Sequence, residues 1–381
     1  MRRKCRAVGV LKSTSMLLES AEARHFRNLA GRLELRSGLN LLIGDNGQGK
    51  TSWLEAVFLL ATTRSFRTAR LQEAIAFNED LAIVRGRVRQ SEEIEHDLQV
   101  ALQVTSKLLS VNGKKETLHN YLAELHAVIF NSNSLEIVRG HPESRRKFLD
   151  DAIVSLSPPF VQTFTDFHRV IKQKNALLQR ARDDESPLEK VAESLAPWNE
   201  QLAAFATRIH RGRVRVVERL NEALEKRLFG GEEVSIRYIS SLEGKGDMSD
   251  YESLIAERLK LRVQAEVVAG HSLVGPHRDD LEVLFDGHDL RKFGSAGQQR
   301  SALLVLLLAG IQVFEAQRGE YPLFLLDDID AELDYQRIGQ LLEYLDGKTQ
   351  TFATTSKQNF IQNFGGSAVV FDIQNGVPKT A

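Results

Sequence analysis

The chain has 381 residues, 42% of them apolar and 27% charged. That is the composition of a globular protein with material for two or three domains of the usual ~100–200 residues. Its 50 basic and 51 acidic residues leave a net charge of −1, which argues against a uniformly cationic nucleic-acid coat but allows a local basic patch. The single cysteine, Cys5, rules out internal disulfides and cysteine metal clusters and fits a reducing compartment.

Residues 1–15 open on Met1-Arg2-Arg3-Lys4, and their apolar run, Ala7 to Leu11, is too short for a signal sequence. A disordered N-terminal arm is expected there, with Met16 as an alternative start. No run reaches the ~18–20 uninterrupted apolar residues that cross a bilayer, so the expected setting is cytoplasmic, without a membrane partner.

Residues 33–43 alternate and then turn apolar before glycine, as a strand entering a buried sheet does. A helical apolar pattern follows over Ser52–Ala61. Residues 81–113 read as antiparallel strands closed by an Asn112-Gly113 hairpin turn. Residues 144–228 are rich in Arg, Lys, Glu, Ala and Leu, and their prolines (Pro158, Pro159, Pro187 and Pro197) serve as breaks between amphipathic helices. Ser240–Asp250 reads as a loop. From Gly294 onward come a glycine turn, a long apolar helix at Ala302–Phe314, a strand at Leu323–Leu326, another helix, and a strand at Thr351–Thr354. This alternation is that of an α/β sheet.

Gly44-Asp45-Asn46-Gly47-Gln48-Gly49-Lys50-Thr51 matches the phosphate-loop pattern G-x-x-x-x-G-K-[ST], with a strand before it and a helix, opening at Ser52, after it. Its glycines let main-chain N–H groups surround phosphates. Lys50 is placed to reach the β- and γ-phosphate oxygens, and Thr51 to ligate Mg²⁺. Four apolar residues, Leu323 to Leu326, then deliver Asp327 and Asp328 to a sheet edge, where Asp327 can hold Mg²⁺ and Asp328 can orient or deprotonate a water. Ser295-Ala296-Gly297-Gln298 opens the long helix, either as a second anion site or as a simple N-cap.

The order of phosphate loop, long insertion, serine-glycine turn and acid-tipped strand resembles the ATP-binding-cassette class of ATPases. In that class the serine-glycine turn of one protomer closes on the ATP of another. The resemblance implies that Ser295, Gly297 and Gln298 come from the partner subunit, and that Ala331–Asp334 lies across a dimer interface. It also implies that Thr354-Thr355-Ser356 falls where a γ-phosphate sensor sits. The long separation of Thr51 from Ser295 resembles neither a transporter ATPase nor a head carrying a long coiled coil.

Several local strings resemble the RecF family of bacterial recombination-repair ATPases. They include Phe26-Arg27-Asn28, Arg64-Ser65-Phe66-Arg67-Thr68, Arg145-Arg146-Lys147-Phe148-Leu149-Asp150 and Gly275-Pro276-His277-Arg278-Asp279-Asp280-Leu281, in family order. The resemblance implies an α/β cassette-type phosphate-loop head, with a mixed sheet, flanking helices and an antiparallel strand subdomain, at 16–150 and 265–381. A mainly helical insertion is implied at 151–264. It further implies an ATP- and Mg²⁺-dependent homodimer on duplex DNA near single-strand gaps. Such a dimer hydrolyses ATP slowly, under DNA stimulation, as a switch, and works with RecR, RecO and RecA to place recombinase on gapped DNA. Three features depart from the family pattern. Phe130-Asn131-Ser132-Asn133-Ser134 replaces a stretch that usually holds proline and acids, Asp330 is an additional acid, and residues 1–15 have no counterpart.

Candidate phosphate contacts for DNA are Arg64, Arg67 and Arg70; Arg139, Arg145, Arg146 and Lys147; and Arg208, Arg211, Arg213 and Arg215. Each group also fits a solvated helix face. The His277–Asp280 string also fits a buried ion-pair structure. Two other functions use part of the same chemistry, namely an ATPase of a defence or nuclease-coupled system and a small-molecule kinase that uses only the phosphate loop.

Overall fold

A computed structural model describes residues 16–90, 94–227 and 231–380. The expected N-terminal arm and Cys5 lie outside the described residues. The chain divides into two units, one built chiefly from residues up to Leu135 and from Arg300 onward, the other from Glu136–Lys226 and Glu232–Gln299. The expected insertion limits, 151 and 264, fall inside the second unit. The helix Pro142–Leu156 belongs with it because it packs on the helix Leu188–Leu224 and the strand Asp280–Phe285.

In the first unit the run read as one strand over 33–43 is two. Leu29–Glu34 pairs with Leu17–Phe26 in an antiparallel sheet, and Leu39–Ile43 enters a different, parallel sheet. Gly38, at φ +81°, makes the change of direction. The parallel sheet has six strands in the order Val377–Thr380, Val369–Gln374, Leu39–Ile43, Thr351–Thr355, Leu323–Leu326, Ala127–Phe130, and only its terminal hairpin is antiparallel. The second sheet orders Leu29–Glu34, Leu17–Phe26, Leu81–Arg89, Glu95–Gln103, Lys107–Val111 and Lys114–Lys115, closed by the expected turn with Asn112 and Gly113 at positive φ.

The phosphate-loop helix, Lys50–Thr62, is enclosed on every side, with no residue exposed. Trp53, Leu54, Ala56, Val57, Leu59 and Leu60 are all buried in one core shared with both sheets, as a helix enclosed between two layers requires. The long apolar helix runs Ala296–Arg318 and is long and apolar enough to cross a membrane by length and composition. It is mostly buried inside the protein, with Ala302–Ala309 all in the core.

The second unit is more than helices. Around Phe160–Asp183 and Leu188–Leu224 it carries a three-stranded antiparallel sheet ordered His288–Asp289, Asp280–Phe285, Val234–Ile239. Pro159 and Pro187 stand at helix N-caps, as breaks should. Pro197 does not break its helix, which runs 37 residues through it. The lost N–H costs one hydrogen bond, while the buried face of Val191, Leu195, Leu202 and Ala206 continues on both sides.

Candidate active site

The catalytic edge is assembled by parallel register. Leu39–Ile43, Thr351–Thr355, Leu323–Leu326 and Ala127–Phe130 lie side by side, so the phosphate loop, Thr354, the acids and Ser132 emerge together where open α/β sheets bind ligands. A cavity of about 660 Å³ is lined there by Arg27, Asn28, Lys50, Thr51, Asp327, Asp328 and Thr354, among others, a size within the usual range for ligand sites.

Gly44, Gly47 and Gly49 take φ of +141°, +81° and +107°. A Cβ on Gly44 would stand 2.5 Å from the Ile373 carbonyl oxygen, so glycine is required there. Lys50 Nζ donates to the carbonyls of Gly44 and Asp45 at 2.7 and 2.9 Å, which folds the loop into a cradle. Burial lowers the Lys50 pKa, while Asp328, Asp45, Asp327 and Asp330 pull the other way. No acid occupies the first turn of Lys50–Thr62, leaving its positive end available to an anion.

Asp327 Oδ1 accepts from Thr51 Oγ1 at 2.8 Å and from Thr354 Oγ1 at 2.9 Å. The Thr354 hydroxyl in turn accepts the Asp328 N–H at 2.7 Å. Thr354, expected near a γ-phosphate, therefore orients both acids. Asp328 is exposed and left-handed, φ 51° and ψ 48°. Its carboxyl pKa is raised, first by the partial loss of solvent around the group and then by the neighbouring Asp330 and Asp327, against Lys50 and Lys357. A carboxylate made more basic beside a phosphate cradle suits a group that polarises water.

Beneath the loop lies a hub that sequence reasoning did not find. Glu55, 0% exposed, accepts two bonds from Arg27 at 3.0 and 2.8 Å, one from Ser65 Oγ at 2.5 Å and one from Arg67 at 3.4 Å. The strings Phe26-Arg27-Asn28 and Arg64–Thr68 are thus the two halves of a cage around one buried carboxylate on the phosphate-loop helix. The terminal hairpin was also missed. Its Gly376 N–H donates to the Gln48 carbonyl and its Asn375 N–H to Gln48 Oε1, both at 2.7 Å, while Trp53 Nε1 donates to the Gly376 carbonyl. The Asn375-Gly376 pair, like Asn112-Gly113, carried the turn signal that finds such a hairpin.

In the Phe130–Ser134 stretch, Asn131 is buried and accepts from Ser134 N and Oγ, both at 2.8 Å, while Ser132 lines the cavity. The loop thus presents the Ser132 hydroxyl to the cavity. In the second unit Ser295 Oγ accepts the Gln298 N–H at 3.2 Å and Gln298 Oε1 accepts the Ser295 N–H at 2.9 Å, a reciprocal cap. Ser295, Gly297 and Gln298 are all exposed, and a Cβ on Gly297 would meet little.

Two of the expected DNA contacts are corrected. Arg145 and Arg213 have side chains 3% and 4% exposed. Arg145 is bidentate to Asp280 at 2.6 and 2.9 Å, and Arg213 to Asp150 at 2.8 and 3.0 Å. Cations so buried and paired hold the unit together and cannot reach phosphates. In the His277–Asp280 string Asp279 is fully buried and Arg278 is exposed. Asp279 accepts from Ser241 N and Tyr238 Oη, and Arg146 donates to its carbonyl. Half-buried Arg146 is committed to that carbonyl, while Arg67, 3.4 Å from Glu55, keeps its side chain 42% exposed and lines the cavity. Arg64, Arg70, Arg139, Lys147, Arg208, Arg211 and Arg215 are exposed, the last three on one face of Leu188–Leu224.

A phosphate loop and paired acids on a parallel sheet, with an antiparallel sheet over the phosphate-loop helix, define a head of the ATP-binding-cassette ATPase class. Known proteins agree with that assignment. The family model described as "RecF/RecN/SMC N terminal domain" matches residues 17–379. The DNA replication and repair protein RecF of Gloeobacter violaceus is 38% identical over 95% of this chain and 98% of its own length. That of Halothermothrix orenii is 34% identical over 95% and 98%. A solved structure described as the recombination mediator protein RecF with ATP in the RecFOR pathway matches at TM-score 0.86 and 31% identity, covering 97% of this chain and 99% of that one. An SMC head bound to a winged-helix domain of ScpA, at 15% identity and TM-score 0.52, shares the fold. The chain belongs to the RecF family.

Proposed function

We propose that the chain is a DNA replication and repair ATPase that binds ATP with Mg²⁺, dimerises on it, and grips duplex DNA near single-strand gaps. Slow, DNA-stimulated hydrolysis then releases it. The observation that carries this reading is the convergence of Lys50, Thr51, Asp327, Asp328 and Thr354 on one cavity, in a chain whose solved relative is described with ATP.

Thr51 Oγ1 and Asp327 Oδ1 sit 2.8 Å apart, and their oxygens fit a hard divalent cation. When bound, Mg²⁺ would neutralise charge developing on the phosphates. Lys50 and the loop N–H groups would exchange their internal partners for phosphate oxygens, and Asp328 would orient the attacking water. Ser295, Gly297 and Gln298 would close on the partner's nucleotide. The side chain of aspartate is shorter than that of glutamate, which suits a slow switch. Exposed Arg208, Arg211 and Arg215 support contact with DNA phosphates. The family's RecFOR relatives support RecR, RecO and RecA as pathway partners, and a cytoplasmic setting follows from that work.

The test is ATP binding and turnover by three proteins. Wild type should bind and hydrolyse, Lys50→Ala should not bind, and Asp328→Asn should bind without turnover. Wild-type turnover by Asp328→Asn would refute its role.

A further inference from the structure

Asp330 is the acid that the phosphate loop and the Asp327–Asp328 pair leave without a task. Its side chain is 1% exposed, with Lys357 Nζ 3.1 Å from Oδ2. The same ammonium donates to the Asp330 carbonyl at 2.9 Å. Lys357 follows the strand Thr351–Thr355, and its own N–H is fixed on Thr355 Oγ1 at 3.0 Å. Thr354, from the same strand end, holds the Asp327 carboxylate and the Asp328 N–H. One segment therefore pins the acid turn at two places, Thr354 before and Lys357 after the left-handed Asp328. A non-glycine residue keeps that conformation only where its surroundings over-determine it.

We propose that Asp330 and Lys357 are a positioning pair that holds the Asp328 turn in the orientation hydrolysis requires. The inference rests on the hydrolase reading of this site. Asp327, Asp328 and Asp330 put three like charges within four residues, one of them buried, and a buried carboxylate needs a cation. Lys357 supplies that cation while its side chain stays 54% exposed. Its terminal charge is then what links the turn to the strand end, and an arginine can replace it.

The test is steady-state ATP hydrolysis by the full chain, with ATP affinity measured separately by equilibrium binding. Lys357→Met should lower kcat about tenfold while KM and ATP affinity stay within about twofold, the signature of an interaction that matters at the transition state. Lys357→Arg should restore most of the rate. Asp330→Asn combined with Lys357→Met should be no slower than Lys357→Met alone, since the two act as one unit. Wild-type kcat in Lys357→Met overturns the proposal. So does a parallel loss of ATP affinity, which would make Lys357 a phosphate ligand. Lys50→Ala and Asp328→Asn run beside these separate the two readings. If both keep full turnover, the hydrolase reading fails and the pair falls with it. If both lose turnover while Lys357→Met does not, only the pair is refuted.

Discussion

Replacing Thr354 by valine removes one oxygen and keeps the shape. Thr354 is 1% exposed and its hydroxyl makes two bonds, accepting from Asp328 N–H at 2.7 Å and donating to Asp327 Oδ1 at 2.9 Å. Asp327 keeps Thr51, but the Asp328 N–H loses its acceptor. That bond is part-buried, so leaving its donor without a partner costs at most about 1–3 kcal/mol. If that energy appears as misplacement of Asp328, turnover falls by roughly 5- to 150-fold. Phosphate binding depends on the loop and Lys50, so ATP affinity should change less than about threefold. Thr354→Ser should be close to wild type, because it keeps the hydroxyl. The assay is single-turnover hydrolysis paired with equilibrium ATP binding. Wild-type turnover in Thr354→Val would refute the orienting role, and a selective loss of ATP affinity would return Thr354 to contact with the phosphate.

Arg27→Ala removes two of the four bonds to the buried Glu55 carboxylate, leaving Ser65 and the longer Arg67 contact, and should destabilise the first unit by up to about 3 kcal/mol, read by urea unfolding. Arg145→Ala should likewise lower stability and not DNA affinity alone, whereas Arg211→Glu with Arg215→Glu should weaken DNA binding, flatten its salt dependence and leave the melting temperature within a few degrees. Burial holds the His277 imidazole at a pKa of about 4 against an ordinary 6.5. The unfolded chain therefore takes up the proton first as pH falls, and this contribution is complete above 6.5 and lost progressively between 6.5 and 4. The loss reaches about 3 kcal/mol at pH 4, and His277→Phe should remove that part of the acid sensitivity in pH-dependent unfolding.

The phosphate loop, the paired acids and the alternation of strands and helices were legible because each is written in contiguous residues with a local physical reason. The Glu55 cage was not, since Arg27 and Arg67 reach the same carboxylate from separate segments and only the fold brings them together. Charge strings misled for the same reason. Arg211, Arg213 and Arg215 look alike in sequence, yet on a helix the middle one faces inward to Asp150. Pro197 shows that a strong local breaker yields where a continuous apolar face holds the helix on both sides. Asp330 was visible as an odd acid, but its partner, 27 residues later, follows another strand.

If ATP joins two copies through Ser295, sedimentation of the purified chain with and without ATP and Mg²⁺ will show it. ATP should convert monomer to dimer, short duplex DNA should favour the dimer, and Ser295→Arg should bind ATP yet stay monomeric. A wild-type chain that binds ATP and remains monomeric throughout would rule out a shared nucleotide site, leaving Ser295 and Gln298 as the cap of a helix and nothing more.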